Sequence, residues 1–171
     1  MNREEMKRSM YLAGSVKRYH AWPTLQTQTV GQHTWRVATL IVEIFGMPRA
    51  EVFYYALVHD CGEMFSGDLP FMVKTAVPGL ADAMKLAELY GLEQLDIQLP
   101  SLSQLEKAQV KIADLLEMHE FGKMEVNLGN HFGAPVMDDT IVEARRVARK
   151  NGLEKALDAW EYKQQPEENQ G

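Results

Sequence analysis

The chain has 171 residues, 46% of them hydrophobic and 25% charged, with 18 Lys and Arg against 24 Asp and Glu for a net charge of −6. These values describe one globular domain. They exclude a disordered chain and argue against a broad electrostatic grip on nucleic acid or an anionic membrane. The single cysteine, Cys61, leaves no internal disulfide and suits a reducing compartment.

The elements follow in chain order, with Gly and Pro as punctuation. The charged start Met1–Met10 has no signal-like apolar run, and Glu4–Ala13 reads as a helix stopped at Gly14. Ser15–Gln28, polar and aromatic around Pro23, reads as a loop. Val30–Phe45 carries Val37, Leu40, Ile41 and Ile44 on one helical stripe and stops at Gly46. Pro48 opens a helix from Arg49 to about Met64. Ser66-Gly67-Asp68 is a turn, with Asp68 placed to cap a short helix through Lys74. Leu80–Tyr90 and Gln104–Val126 follow as helices. The latter is apolar on more than one face, as a central buried helix requires. Asp139–Arg149 and Leu153–Tyr162 complete the set, and the polar end 164–171 is expected to fray. No strand pattern competes, so the reading is an all-α domain over 1–163. The apolar stretch 37–44 is far short of the ~20 residues that cross a membrane.

Chemistry concentrates in Ala56-Leu57-Val58-His59-Asp60-Cys61-Gly62-Glu63. A continuing helix would set His59, Asp60 and Glu63 close together. Burying both carboxylates alone is costly, and a divalent cation offsets that cost. His33 lies on the apolar stripe of its helix, where it reads either as a satisfied core histidine or as a ligand. Asp114 sits mid-helix among apolar neighbours and reads either as a partner of Lys111 three residues earlier or as a further ligand.

The pattern His33, His59-Asp60, Asp114 resembles the HD-domain metal-dependent phosphohydrolases. Arg18 fifteen residues before His33, Thr29-Val30-Gly31-Gln32-His33, His59-Asp60-x-x-Glu63, Gly67-Asp68-Leu69-Pro70, Val73-Lys74 and Lys111-x-x-Asp114 are similar to the bacterial 5′-deoxynucleotidase branch and to compact phage dATP triphosphohydrolases. The chain departs from that branch in three places. Tyr19 follows Arg18 where the branch has Trp, with Trp22 three positions later. Gln32 replaces an acidic residue before His33. The span from Lys74 to Asp114 is short. These departures point toward the phage-like enzymes, which favour triphosphates.

The resemblance implies an HD helical bundle with His33, His59, Asp60 and Asp114 around one ion. Two imidazoles and two carboxylates suit Co, Mn, Zn, Ni or Fe, with Mg accompanying a triphosphate substrate. Glu63, otherwise a helix-end carboxylate, would handle the proton of the attacking water. Asp68 would act beside it or serve only as a cap. Arg18, Lys74 and Lys111 would hold phosphate. Tyr19 and Trp22 would stack on the base or pack against the sugar, or belong to the core.

The expected activity is metal-dependent hydrolysis of a deoxynucleotide, a dATP-like triphosphate giving deoxynucleoside and triphosphate. The alternative within that class is a 5′-deoxynucleotidase acting on dNMPs. A non-catalytic nucleotide-binding HD regulatory module is the alternative of another class. The expected partners are the deoxynucleotide and further copies of the chain, with no nucleic acid and no membrane. The expected location is the cytoplasm, the host's if the protein is phage-encoded.

Overall fold

The computed structural model describes residues 10–69 and 76–164. Among them the order is β1 (Lys17–Arg18), β2 (Gln28–Thr29), α1 (Val30–Phe45), α2 (Ala50–Val58), α3 (Glu63–Ser66), α4 (Leu80–Gln94), α5 (Gln104–Asn127), a 3₁₀ turn (His131–Gly133), α6 (Ala134–Asn151) and α7 (Glu154–Lys163). Residues 10–13 are also helical. The domain is all-α as expected, apart from one small antiparallel pairing.

Two capping boxes fix the starts of the helices that matter most. At α1 the Thr29 side chain accepts from Gln32 N–H, while the Gln32 side chain accepts from Thr29 N–H. Gln32, the departure from the family pattern, thus closes the entry to the helix that carries His33. Ser103 and Glu106 form the same reciprocal pair at α5. The central position of α5 is also as expected. Val110, Ile112, Ala113, Leu115 and Leu116 are buried against Val37 and Ile41 of α1, Val52 and Ala56 of α2, Ala144 and Ala148 of α6, and Leu157 and Trp160 of α7. A second apolar cluster, with Ala13, Val58, Cys61, Leu92, Leu95 and Ile97, lies beneath the turn after α2. Burial there pushes the Cys61 thiol up to about 11. None of the described helices is long and apolar enough to cross a membrane.

Four expectations need correction. The helix from Arg49 does not reach Met64. α2 ends at Val58, residues 59–62 form turns, and α3 restarts at Glu63. The break has a steric cause, because Gly62 meets the backbone of α4. A Cβ on Gly62 would stand 2.1 Å from the Glu88 carbonyl oxygen, and one on Gly91 would stand 2.5 Å from the Gly62 carbonyl oxygen. The loop Ser15–Gln28 is closed by a strand pairing, with Lys17 opposite Thr29 and Arg18 opposite Gln28. Two residues per strand are too few for alternation to signal it. α6 begins at Ala134 rather than Asp139, with Pro135 in its first turn, where the missing N–H costs nothing. α4 runs to Gln94, past the expected end at Tyr90. Asp68 Oδ2 accepts the Tyr19 N–H at 2.7 Å. The short helix expected through Lys74, and Lys74 itself, lie outside the described residues.

Candidate metal centre

Three segments meet at one site, and Asp114, outside the mutually close group of His33, His59 and Asp60, joins it through His33. α1 supplies His33, the turn after α2 supplies His59 and Asp60, and α5 supplies Asp114. Ligand atoms of His33, His59 and Asp60 all lie within 4.8 Å of one another. His33 Nε2 is 3.3 Å from Asp60 Oδ2 and 3.2 Å from Asp114 Oδ1, and His59 Nε2 is 3.3 Å from Asp60 Oδ1.

The hydrogen bonds around both imidazoles leave Nε2 facing this site. His59 Nδ1–H donates to the Ala56 carbonyl at 2.9 Å. His33 Nδ1 is 2.5 Å from Glu117 Oε2. An acceptor at Nδ1 fixes the tautomer whose Nε2 carries a lone pair. His33 Nε2 is buried without a well-directed hydrogen bond, although two carboxylate oxygens stand beside it. A lone pair facing two anions requires a positive charge between them, supplied by a proton or by a divalent ion. The donor set therefore fits a divalent transition ion of mixed nitrogen and oxygen ligation.

The titration directions agree with this demand. Burial and the Arg18 guanidinium depress the His33 pKa, but the Asp114, Asp60 and Glu117 carboxylates facing the ring outweigh them and push it up to about 10. Burial would raise Asp60, but His59 and His33 hold it below the usual carboxylate range. Asp114 is likewise held well below that range, against burial, by Lys111 and the histidines. Both readings of Asp114 hold in one geometry: Oδ2 accepts from Lys111 Nζ at 2.8 Å while Oδ1 faces His33.

A cavity of about 340 Å³ opens on these groups. Arg18, Tyr19, Glu63, Asp68 and Lys111 share its wall with His59, Asp60 and Asp114. Glu63 is buried at the first position of α3. Arg18 is buried, and its Nε and Nη1 have no hydrogen-bond partner among the described residues. Tyr19 has a left-handed backbone, φ 55°, and its ring stacks parallel on Phe121 at 4.6 Å. Such a conformation costs about 1–3 kcal/mol for a non-glycine residue. The Asp68 bond and the stacking hold it, and together they aim Arg18. Trp22 is not brought to this cavity. It lines a separate small crevice with Phe121 and Phe132.

Two buried carboxylates escaped the sequence reading. Glu117 is 1% exposed; besides facing His33, its Oε1 accepts from Gln28 Nε2 at 2.6 Å and from Arg36 Nη1 at 3.4 Å. The signal was present, since Glu117 lies three residues after Asp114 on the same face of α5. Glu125 accepts from the N–H groups of Leu25 and Gln26 and from Asn130, tying the loop before β2 to α5.

Comparison with known proteins follows from this arrangement. The YfbR-like 5′-deoxynucleotidase model matches residues 9–140, well over half the chain. Among curated proteins no sequence matches. The cyanophage S-2L HD phosphohydrolase DatZ, solved with dA and one catalytic Zn²⁺ ion, is 21% identical with a TM-score of 0.57, over 84% of this chain and 96% of that one. An HD-domain phosphohydrolase of Listeria innocua is 17% identical with a TM-score of 0.58, over 92% of this chain and 87% of its own. At these identities the two structures establish the fold. With the family match they lead to one statement: the chain has the HD-domain fold and belongs to the YfbR-like 5′-deoxynucleotidase family.

Proposed function

We propose that the protein is a metal-dependent hydrolase that cleaves the bond between phosphorus and the 5′ oxygen of a deoxynucleotide, acting first on a triphosphate of the dATP type. The observation that carries the hydrolytic reading is the buried His33 Nε2 set between Asp60 and Asp114, which line the cavity. His33, His59, Asp60 and Asp114 would hold the ion, which supplies positive charge toward phosphoryl oxygens and acidity toward water.

The chain's own residues divide the remaining work. Glu63 takes the proton of the water whose oxygen bonds to phosphorus. The P–O5′ bond breaks, its electron pair goes to the 5′ oxygen, and that oxygen takes up a proton as the deoxynucleoside leaves. Arg18 lines the cavity and offers its guanidinium to the phosphate, where a fork of N–H groups suits paired oxygens. The Asp114 carboxylate keeps the Lys111 ammonium charged and aimed beside it.

Support for a triphosphate comes from a second cleft. It measures about 200 Å³, shares Lys107 and Lys111 with the first, and adds Arg146 and Lys150. Glu143 holds Arg146 by two hydrogen bonds and Asp114 holds Lys111 by one, so Lys107 and Lys150 form the rest of its positive lining. In a chain of net charge −6 this concentration beside the cavity suits the outer phosphates of a polyphosphate. The second reading, a 5′-deoxynucleotidase of monophosphates, is favoured by the family match.

One assay separates them. Purified protein is incubated with dATP and with dAMP in Co²⁺, Mn²⁺ or Zn²⁺, and the products are resolved. Inorganic triphosphate from dATP supports the first reading, whereas orthophosphate from dAMP with intact dATP supports the second. Glu63→Gln should lower turnover by about 10²- to 10⁴-fold while the ion stays bound. If neither nucleotide is hydrolysed with any ion, both readings fail in favour of a regulatory nucleotide-binding module.

A further inference from the structure

We propose that Glu117 is a positioning residue that locks His33 in its ligating tautomer and ties that lock to the phosphate-facing Arg18. The proposal rests on the reading of His33 as a metal ligand. α5 grips the His33 ring from both sides: Asp114 Oδ1 lies 3.2 Å from Nε2, and Glu117 Oε2 lies 2.5 Å from Nδ1. With Glu117 accepting at Nδ1, the proton resides there and the Nε2 lone pair faces Asp60 and Asp114.

Glu117 is itself held as an acceptor from several directions. Gln28 Nε2 donates to Oε1 at 2.6 Å, Arg36 Nη1 lies 3.4 Å from Oε1, and Arg18 Nη1 lies 3.6 Å from Oε2. The register that pairs Arg18 with Gln28 brings both side chains to this one carboxylate. One buried group therefore joins the β1–β2 pairing, α1 and α5. Its contact with Arg18 Nη1 also positions the guanidinium that lines the cavity. Glu117→Gln keeps the shape and breaks the pattern. An amide must turn its NH₂ either toward Gln28, donor against donor, or toward His33 Nδ1. The second choice makes Nδ1 an acceptor and moves the ring proton to Nε2, where it blocks ligation.

The test is a competition titration of Zn²⁺ against a chromogenic chelator, using wild type, Glu117→Gln and His33→Ala, with circular dichroism and chelator-treated melting curves alongside. The expected result is Zn²⁺ affinity lower by about 10- to 100-fold in Glu117→Gln, with an unchanged spectrum and melting point. A purely structural Glu117 would instead lower the melting point and leave affinity alone. Wild-type affinity in Glu117→Gln beside a defective His33→Ala overturns the positioning role only. Wild-type affinity in His33→Ala overturns the ligand reading and this proposal with it. If Glu117→Gln does not fold, long-range ¹H–¹⁵N spectra of Zn²⁺-loaded wild type decide. A His33 proton on Nδ1 supports the proposal, and one on Nε2 overturns it.

Discussion

Arg18 shows how much one side chain's chemistry depends on its neighbours. In the sequence it is a lone cation in a loop. In the fold it is buried, lies 3.6 Å from Glu117, sits 5.4 Å from the Tyr19 ring, and lines the cavity. Arg18→Lys keeps the charge and removes the fork. Hydrogen bonds to charged groups contribute roughly 1.5–3 kcal/mol, so steady-state kinetics should show kcat/KM lower by about 10- to 100-fold. A lysine variant with wild-type kcat/KM would remove Arg18 from phosphate binding.

At the scale of elements, the contact between the turn after α2 and α4 sets where Asp60 and Glu63 point. Gly91→Ala gains about 1 kcal/mol of helix propensity. Its Cβ, however, would meet Gly62 backbone atoms at 2.5 and 2.9 Å, and such overpacking typically costs about 1–3 kcal/mol. Both atoms are backbone and cannot rotate away, which puts the cost at the upper end of that range, about 2–3 kcal/mol, and leaves a net loss of about 1–2 kcal/mol. Thermal denaturation should register a fall in Tm of roughly 2–8 °C, at about 2–4 °C per kcal/mol for a chain of this size. An unchanged Tm would show that the α3–α4 contact yields freely.

Glu125 supplies a pH test at the same scale. Burial would raise its pKa, but the Leu25 N–H, the Asn130 amide and the Gln26 N–H outweigh burial and hold it below its ordinary 4.5. A carboxylate lowered on folding contributes stability above its unfolded pKa and loses it as pH falls through the folded value. Urea denaturation of wild type and Glu125→Gln should therefore differ at pH 7 and converge below about pH 4.5. A gap that persists at pH 2 would assign the effect to packing.

For the whole molecule, the candidate ligands come from α1, the turn after α2, and α5, so an ion joins parts of the chain that no single helix connects. Ligand at 100 times its Kd stabilises the folded state by about 2.7 kcal/mol. That corresponds to a Tm rise of roughly 5–11 °C. A melt with Zn²⁺ or Co²⁺ should show this rise in wild type and none in Asp114→Asn. An equal rise in the variant would place the ion elsewhere.

Helical periodicity and Pro and Gly punctuation were enough to read α1, α5 and the all-α class, because amphipathic stripes and caps are local properties of consecutive residues. The spacing of His33, His59-Asp60 and Asp114, with Arg18, carried the family resemblance before any contact was known. What local pattern could not decide was where α2 breaks, since that depends on α4 pressing against Gly62 some thirty residues away. Nor could it pair Lys17–Arg18 with Gln28–Thr29, keep Trp22 out of the larger cavity, or single out Glu117 among the acidic side chains. A carboxylate acquires its role from what surrounds it, and only folding encloses Glu117 with His33, Gln28, Arg18 and Arg36.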